Sequence, residues 1–110
     1  MLSELHRRYA RPILISETGA EDVQRLPWFN YVCAEVSKAV RAGVPVQGIC
    51  WYPVLDYPGW DDGRYCPAGL LGYADGQGAR AIFDPLQVAL RENTLELAAL
   101  IREKNGKFAV

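Results

Sequence analysis

Glu17 closes the run Arg11-Pro12-Ile13-Leu14-Ile15-Ser16-Glu17-Thr18-Gly19, in which three bulky aliphatics lead into a carboxylate and then a glycine. Such a run reads as a buried strand ending in a charge. In parallel sheets covered by helices, reacting groups sit at the carboxyl ends of strands. Further along, Trp51, Tyr52, Asp56 and Trp60 bring two indoles, a phenol and an acid into one short stretch. Pyranose rings present apolar C–H faces to aromatic rings while their hydroxyls pair with acids, so a strand-end carboxylate beside such residues suits carbohydrate chemistry. Glu17 would attack, or electrostatically stabilise, an anomeric carbon, a task that needs it ionised at neutral pH. Trp51 and Trp60 would be stacking platforms, with Tyr52 in the same aromatic set. Asp56, Asp61 and Asp62 could bind sugar hydroxyls or a cation. Each residue also has a plainer role open to it. Glu17 can be the first solvated residue after a strand, a strand-end tryptophan can fill space between sheet and helix, and acids in turn-rich segments cap turns. Trp28, on the apolar face of a helix, is assigned to the core.

Retaining glycoside hydrolysis needs two carboxylates about 5–5.5 Å apart, one a nucleophile and the other an acid/base with a raised pKa. Only Glu17 meets the strand-end requirement. Glu35 falls on a helix, and Glu92, Glu96 and Glu103 fall on terminal helices.

The elements that must position these groups follow from periodicity and punctuation. Leu2, Leu5 and Tyr9 have helical spacing, with Arg7 and Arg8 suited to the negative pole of a helix over residues 2–9. Pro12 favours extended backbone at Arg11, so a strand over 13–17 can begin at once. Pro27 suits the first position of a helix over 27–42, in which Trp28, Val32, Val36, Ala39 and Val40 recur at three- and four-residue steps. Gly43 offers a left-handed cap, followed by Pro45. Val46-Gln47-Gly48-Ile49-Cys50-Trp51 reads as a second strand over 46–51, with Gly48 marking a close backbone approach. Strand, helix and strand form a crossover unit with two parallel neighbours, which puts Glu17 and Trp51 at the same edge of the sheet. Residues 52–83 form a long aromatic loop rich in glycine, proline and aspartate, and loops of that length are commonly functional. Asp84 resembles an N-cap, with Pro85 in first position and Gln87 as its box partner, opening one or two terminal helices over 85–105. Asn93-Thr94 offers a break and Asn105-Gly106 a stop.

Composition narrows the classes. The chain has 110 residues, half of them hydrophobic, and a net charge of −1, which fits one globular unit and not a basic nucleic-acid binder or an acidic tail. No window approaches the ~18 consecutive apolar residues of a membrane span. Met1-Leu2-Ser3-Glu4-Leu5-His6-Arg7-Arg8 lacks the apolar stretch of a secretory leader, so the expectation is a cytoplasmic chain with no nucleic-acid or membrane partner. Cys33, Cys50 and Cys66 are odd in number and widely spaced, so neither a disulfide framework nor a metal motif is indicated. The single His6 makes a Ser-His or Cys-His mechanism improbable, and the glycines are too irregular to cradle a phosphate. No cofactor or metal is expected.

In this order the residues resemble a known family. Tyr9, Pro12 and Ile15-Ser16-Glu17-Thr18-Gly19 look like the tyrosine, proline and "TENG"-type nucleophile strand of family 1 glycoside hydrolases, the β-glucosidase-like members of a clan built on (β/α)8 barrels. Val46-Gln47-Gly48-Ile49-Cys50-Trp51, with Leu55-Asp56 and Trp60, resembles the family's eighth-strand "G…WSLLDNFEW" pattern. Gly63, Gly69-Leu70, Tyr73-Ala74-Asp75 and Arg80 continue it. The sequence departs at Thr18, where the family has asparagine, by one extra residue between Trp51 and Asp56, and at Gly59, where the family has a sugar-holding glutamate. The arginine before the family's "FGL" is also missing. The resemblance implies an α/β fold, the C-terminal portion of a TIM barrel comprising strand–helix units seven and eight, with Glu17 as nucleophile and Trp51, Trp60, Asp56 and Tyr52 binding substrate. It also implies that the acid/base glutamate belongs to a strand outside this chain. The isolated chain would then be inactive, and its exposed edges would be covered by an upstream barrel segment or by self-association. A non-catalytic carbohydrate-binding or assembly fragment is the alternative, and a complete small α/β domain a third.

Overall fold

The computed structural model describes residues 1–105. Two strands, β1 (Ile13–Thr18) and β2 (Val46–Trp51), lie side by side in parallel and are joined through α2 (Arg25–Arg41). One face of this pair is covered. Ile13, Ile15 and Ile49 pack with Val46 against Val36, Ala39, Val40 and Val44, and Leu97, Leu100 and Ile101 of α3 close the same cluster. The other face is open: Leu14, between two half-buried isoleucines, is 55% exposed, and Cys50 is exposed as well. The close approach expected at Gly48 is to a side chain and not to backbone, since a Cβ at that position would lie 3.2 Å from Leu14 Cδ1.

α2 starts two residues earlier than the proline signal suggests, preceded by a 3-10 turn over Asp22–Gln24. Pro27 is its third residue. That position is tolerated because the first four N–H groups of a helix have no intrahelical partner. Phe29, Cys33, Val36, Ala39 and Val40 form its buried stripe. The helix ends at Gly43, whose φ of 92° requires the left-handed region that glycine enters without strain. A shorter helix, α1 (Leu2–Tyr9), precedes β1 and has no buried residue of its own.

α3 is a single helix, Asp84–Asn105, without the break offered by Asn93-Thr94. Both side chains bond back into it: Asn93 Nδ2 donates to Ala89 O and Thr94 Oγ1 to Leu90 O. Such residues sit mid-helix by bonding the carbonyl four residues back, at a small cost to the helix. Asp84 is the first helical residue, not the cap, because the amides of Leu86 and Gln87 bond the carbonyl of Phe83. The stop signal at Gly106 lies outside the described residues. Leu86 and Ala89 seat α3 on Phe29 and Cys33 of α2 in a second cluster that also receives Trp51, Leu70 and Phe83. Burial and the nearby Glu96 push the Cys33 thiol up to about 11, so it stays neutral there.

The long loop expected over 52–83 is ordered as two hairpins. β3 (Tyr57–Pro58) pairs antiparallel with β4 (Tyr65–Cys66), and β5 (Leu71–Ala74) pairs antiparallel with β6 (Arg80–Ile82). A parallel bridge between Leu55 and Leu71 joins the start of the segment to the second hairpin. The radius of gyration is 16.1 Å, against about 13 Å for a compact domain of this length. No helix among the described residues is long and apolar enough to cross a membrane.

Candidate functional site

The register of the parallel pair changes next to Glu17. Ile15 faces Ile49 and Thr18 faces Trp51, so three steps along β1 answer two along β2. The extra residue falls in the stretch that holds Glu17. Local irregularities of this kind re-aim a side chain and concentrate beside active sites. Past the shift the strands stay joined, because Tyr52 N–H donates to Thr18 O at 2.9 Å. Gly19 follows directly, and a Cβ there would run into the Tyr52 carbonyl. The strand end carrying Glu17 is thus pressed against the residue that opens the aromatic segment. Glu17 itself is exposed.

On the helix side, Trp28 Nε1 donates to Thr18 Oγ1 at 2.8 Å. Trp28 is 41% exposed and packs its ring 5.7 Å from that of Tyr31, so it is not the core residue that helical spacing suggested. Its position in the first turn of α2 lifts it above the sheet. Glu17, Thr18, Trp28 and Tyr31 share a cavity of about 620 Å³ that runs down between α1, β1 and α2.

On the loop side, Tyr52, Tyr57 and Trp60 form a row with ring centroids 6.2 and 6.3 Å apart. Desolvation holds the Tyr57 phenol above its ordinary range, with Tyr52 next and the Glu17 carboxylate adding in the same direction. Tyr57, the middle ring of the row, is thus within electrostatic reach of Glu17.

Buried polar groups beneath the row hold it in place. Asp56 is 6% exposed; its Oδ1 accepts from Gly69 N–H at 2.7 Å and its Oδ2 from Tyr65 O–H at 2.8 Å. Gly69 has no room for a side chain, since a Cβ would sit 2.5 Å from Asp56 N and Leu55 C. On its other side Gly69 accepts from Arg25 Nη1 at 2.7 Å. Arg25 is 7% exposed, donates from Nε to Asp22 O at 2.9 Å and lies 3.5 Å above the Phe83 ring. At the surface, Arg64 grips Glu21 with two bonds of 3.0 and 2.9 Å, and Asp22 N–H donates to Pro67 O. The β1–α2 connection and the first hairpin are therefore tied together along the strand-end edge.

The fold of this chain occurs in solved structures. The chain superposes on the β-glycosidase from the hyperthermophile Thermosphaera aggregans with a TM-score of 0.71 at 26% identity, covering 91% of this chain and 22% of that one. For β-glycosidase BGL167 the TM-score is 0.73 at 18% identity, with 86% and 24% covered. For the family 1 β-glucosidase from Thermotoga maritima it is 0.70 at 20% identity, with 84% and 24% covered. The chain has the fold of part of a family 1 β-glucosidase. It spans less than a quarter of the length of these three structures. No family model matches it, and no curated protein matches it in sequence.

Within this β-glucosidase-type fold, the strand ends bring Glu17, Tyr52 and, through the hairpin, Trp60 to one edge. Trp51 and Asp56 lie deeper. Trp51 is half-buried, meets Phe29 edge-on at 5.8 Å and donates from Nε1 to Ala68 O at 3.2 Å, while both oxygens of Asp56 are engaged by its own loop. Glu35 lines the same cavity as Glu17 but pairs with Lys38 at 3.0 Å. It lies seven residues beyond Trp28, roughly 10 Å farther down the helix. Among the described residues no group of three or more His, Cys, Asp or Glu side chains is placed to hold a metal ion. Sequence reasoning did not single out Arg25, Tyr57 or the Thr18–Trp28 bond. Arg25 left one signal, since a cation in the first turn of a helix opposes the dipole and so suggests a separate task.

Proposed function

We propose that the chain is the nucleophile-bearing C-terminal portion, strand–helix units seven and eight, of a retaining β-glycosidase barrel. The observation that carries this reading is Glu17 at the irregular carboxyl end of a parallel strand, beside the Tyr52–Tyr57–Trp60 row, in a chain with the β-glucosidase fold. In the proposed reaction the Glu17 carboxylate attacks the anomeric carbon, the bond to the leaving oxygen breaks, and a glycosyl ester forms that water then hydrolyses. A second carboxylic acid must protonate the leaving oxygen and later activate the water. Glu35 is too far down α2 for that task, so this acid comes from outside the chain and the chain by itself does not turn over an ordinary glycoside. Trp51, Tyr52, Asp56 and Trp60 shape the sugar subsite. Tyr52 and Trp60 do so through exposed rings, Trp51 and Asp56 by fixing the floor and the loop. The upstream part of a barrel, or a second copy, covers the free edge of β1 and the open face that bears Leu14.

A chain whose acid/base partner lies outside it also fits a further reading, a non-catalytic carbohydrate-binding or assembly fragment. One experiment separates the two: the chain is combined with the upstream part of a β-glycosidase barrel and assayed on an aryl β-glycoside, and a fluorinated glycoside with an activated leaving group is used to trap the ester. Activity that is lost in Glu17→Gln, together with label on the Glu17 peptide, is the expected result. Activity unchanged in Glu17→Gln, or label elsewhere, refutes the nucleophile assignment.

A further inference from the structure

The burial pattern of β1 breaks its alternation once. Ile13 and Ile15 are half-buried with exposed Leu14 between them, but Ser16 and Glu17 are both exposed before Thr18 is half-buried again. This doubled exposure is the extra residue of the register shift, by which Ile15 faces Ile49 and Thr18 faces Trp51. Carried on unbroken, the register of Ile15 would set Glu17 opposite Trp51, on the side where that indole meets Phe29 of α2. A step of one residue turns a side chain to the other face of a strand. Where the extra residue sits therefore decides whether Thr18 or Glu17 takes the covered side at the strand end.

Two bonds hold Thr18 in that place. Its carbonyl accepts from Tyr52 N–H at 2.9 Å, and its Oγ1 accepts from Trp28 Nε1 at 2.8 Å. The first is a main-chain bond that any residue at this position would accept. The second needs a hydroxyl on β1 and an N–H on α2. Its donor is well seated, because the next residue, Phe29, is buried and Arg25, one turn earlier, bonds the Gly69 carbonyl at 2.7 Å. Thr18 stands where family 1 has asparagine, so the hydroxyl that accepts this bond is a feature of this chain.

We infer that Trp28 is a positioning residue for Glu17: acting through the Thr18 hydroxyl, it holds the extra residue of β1 at Ser16–Glu17 and keeps the Glu17 carboxylate at the exposed strand end instead of beneath α2. The bearing on catalysis rests on the nucleophile role proposed for Glu17, whereas the bond and the register stand without it.

Thr18→Val keeps the shape of the side chain and removes the acceptor, Trp28→Phe keeps a ring and removes the donor, and Thr18→Ser keeps the hydroxyl. Amide hydrogen exchange of the full chain, followed by NMR, reads the Tyr52 N–H, with the Gly59 N–H of the first hairpin as internal reference. Exchange at Tyr52 rises roughly three- to tenfold in Thr18→Val and in Trp28→Phe, the scale of one lost hydrogen bond. It rises no further in the double variant, because both changes remove the same bond, and it stays near wild type in Thr18→Ser, with Gly59 unmoved throughout. In combination with the upstream part of a β-glycosidase barrel, kcat on an aryl β-glycoside falls roughly tenfold in Thr18→Val at constant KM and recovers in Thr18→Ser, since a small misplacement of a reacting group costs rate. Exchange unchanged in Thr18→Val, additive in the double variant, or raised equally at Gly59 overturns the inference. A local rise with kcat unchanged, in a preparation that Glu17→Gln inactivates, overturns the positioning role. A local rise with activity indifferent to Glu17→Gln keeps the register lock and removes the nucleophile assignment.

Discussion

Asp56 is the residue whose loss should most directly unseat the aromatic segment. Its carboxylate is 6% exposed and accepts one bond from the backbone of Gly69 and one from the Tyr65 hydroxyl, at 2.7 and 2.8 Å. Asp56→Ala removes both acceptors. The Gly69 N–H bond is buried, and leaving such a donor unsatisfied costs about 1–3 kcal/mol. Tyr65 is exposed and recovers water, so its share is smaller. A loss of about 1–3 kcal/mol is a sizeable part of the ~5–15 kcal/mol that holds a domain together. Asp56→Asn keeps one acceptor for Gly69 and offers its amide to the Tyr65 oxygen, so its loss is about 1 kcal/mol. Urea unfolding of wild type, both variants and the surface control Asp61→Ala measures these differences. Tyrosinate absorbance gives a second reading, because the bond to Asp56 is the main reason the Tyr65 phenol stays above its usual range. Raised in the fold, that phenol contributes stability below its unfolded value, and the contribution is lost as pH climbs through the folded one. In Asp56→Asn the Tyr65 transition moves down. A loss in Asp56→Ala no larger than in Asp61→Ala, with the Tyr65 titration unmoved, refutes the claim that Asp56 organises the loop.

Two further predictions concern the strand-end edge. Gly19→Ala drives a Cβ into the Tyr52 carbonyl and must displace either Thr18 or Tyr52, since the obstacle is backbone. A destabilisation of about 1–3 kcal/mol in thermal unfolding, with a change in tyrosine and tryptophan emission, is expected, and Gly76→Ala, where a Cβ meets open space, is the control. The second is a pH effect. The Arg64 guanidinium holds the Glu21 carboxyl below its ordinary value, so the tie between the β1–α2 connection and the first hairpin is present above the unfolded carboxyl range and lost as pH falls through the folded value. Fluorescence of Trp60 should therefore shift on acidification in wild type and not in Glu21→Gln, as followed in a background with the other two tryptophans replaced by phenylalanine.

The parts of this fold that were legible in the sequence are those fixed by short-range signals. The helix stripe of Val36, Ala39 and Val40, the left-handed Gly43 and the apolar run from Val46 to Trp51 each declare themselves within a few residues. Depth and distant bonding do not. Helical spacing put Trp28 in the core, yet it is 41% exposed and its indole meets Thr18, because spacing does not fix how deep the first turn of α2 lies. The hairpins over 57–82 have strands of two to four residues, too short for an alternating pattern, and the bonds fixing their place span long intervals, as between Arg25 and Gly69 or Glu21 and Arg64. Asn93 and Thr94 misled because a break and a back-bond to the preceding turn use the same residue types.

The candidate site divides along the same line. Glu17 was readable as a strand-end carboxylate because the apolar run, the acid and the glycine are contiguous. What gives that position its character lies elsewhere in the chain. The register shift depends on β2, the steric need for Gly19 depends on Tyr52, and the constraint on Trp60 depends on Glu21, Asp22 and Arg25. Glu21 and Asp22 come from the short β1–α2 connection and Arg25 opens α2, so the chain just after Glu17 both leaves the strand and anchors the loop. The strand end that carries Glu17 and the hairpin that carries Trp60 are thus tied to the same connection, on an edge whose sheet face is open.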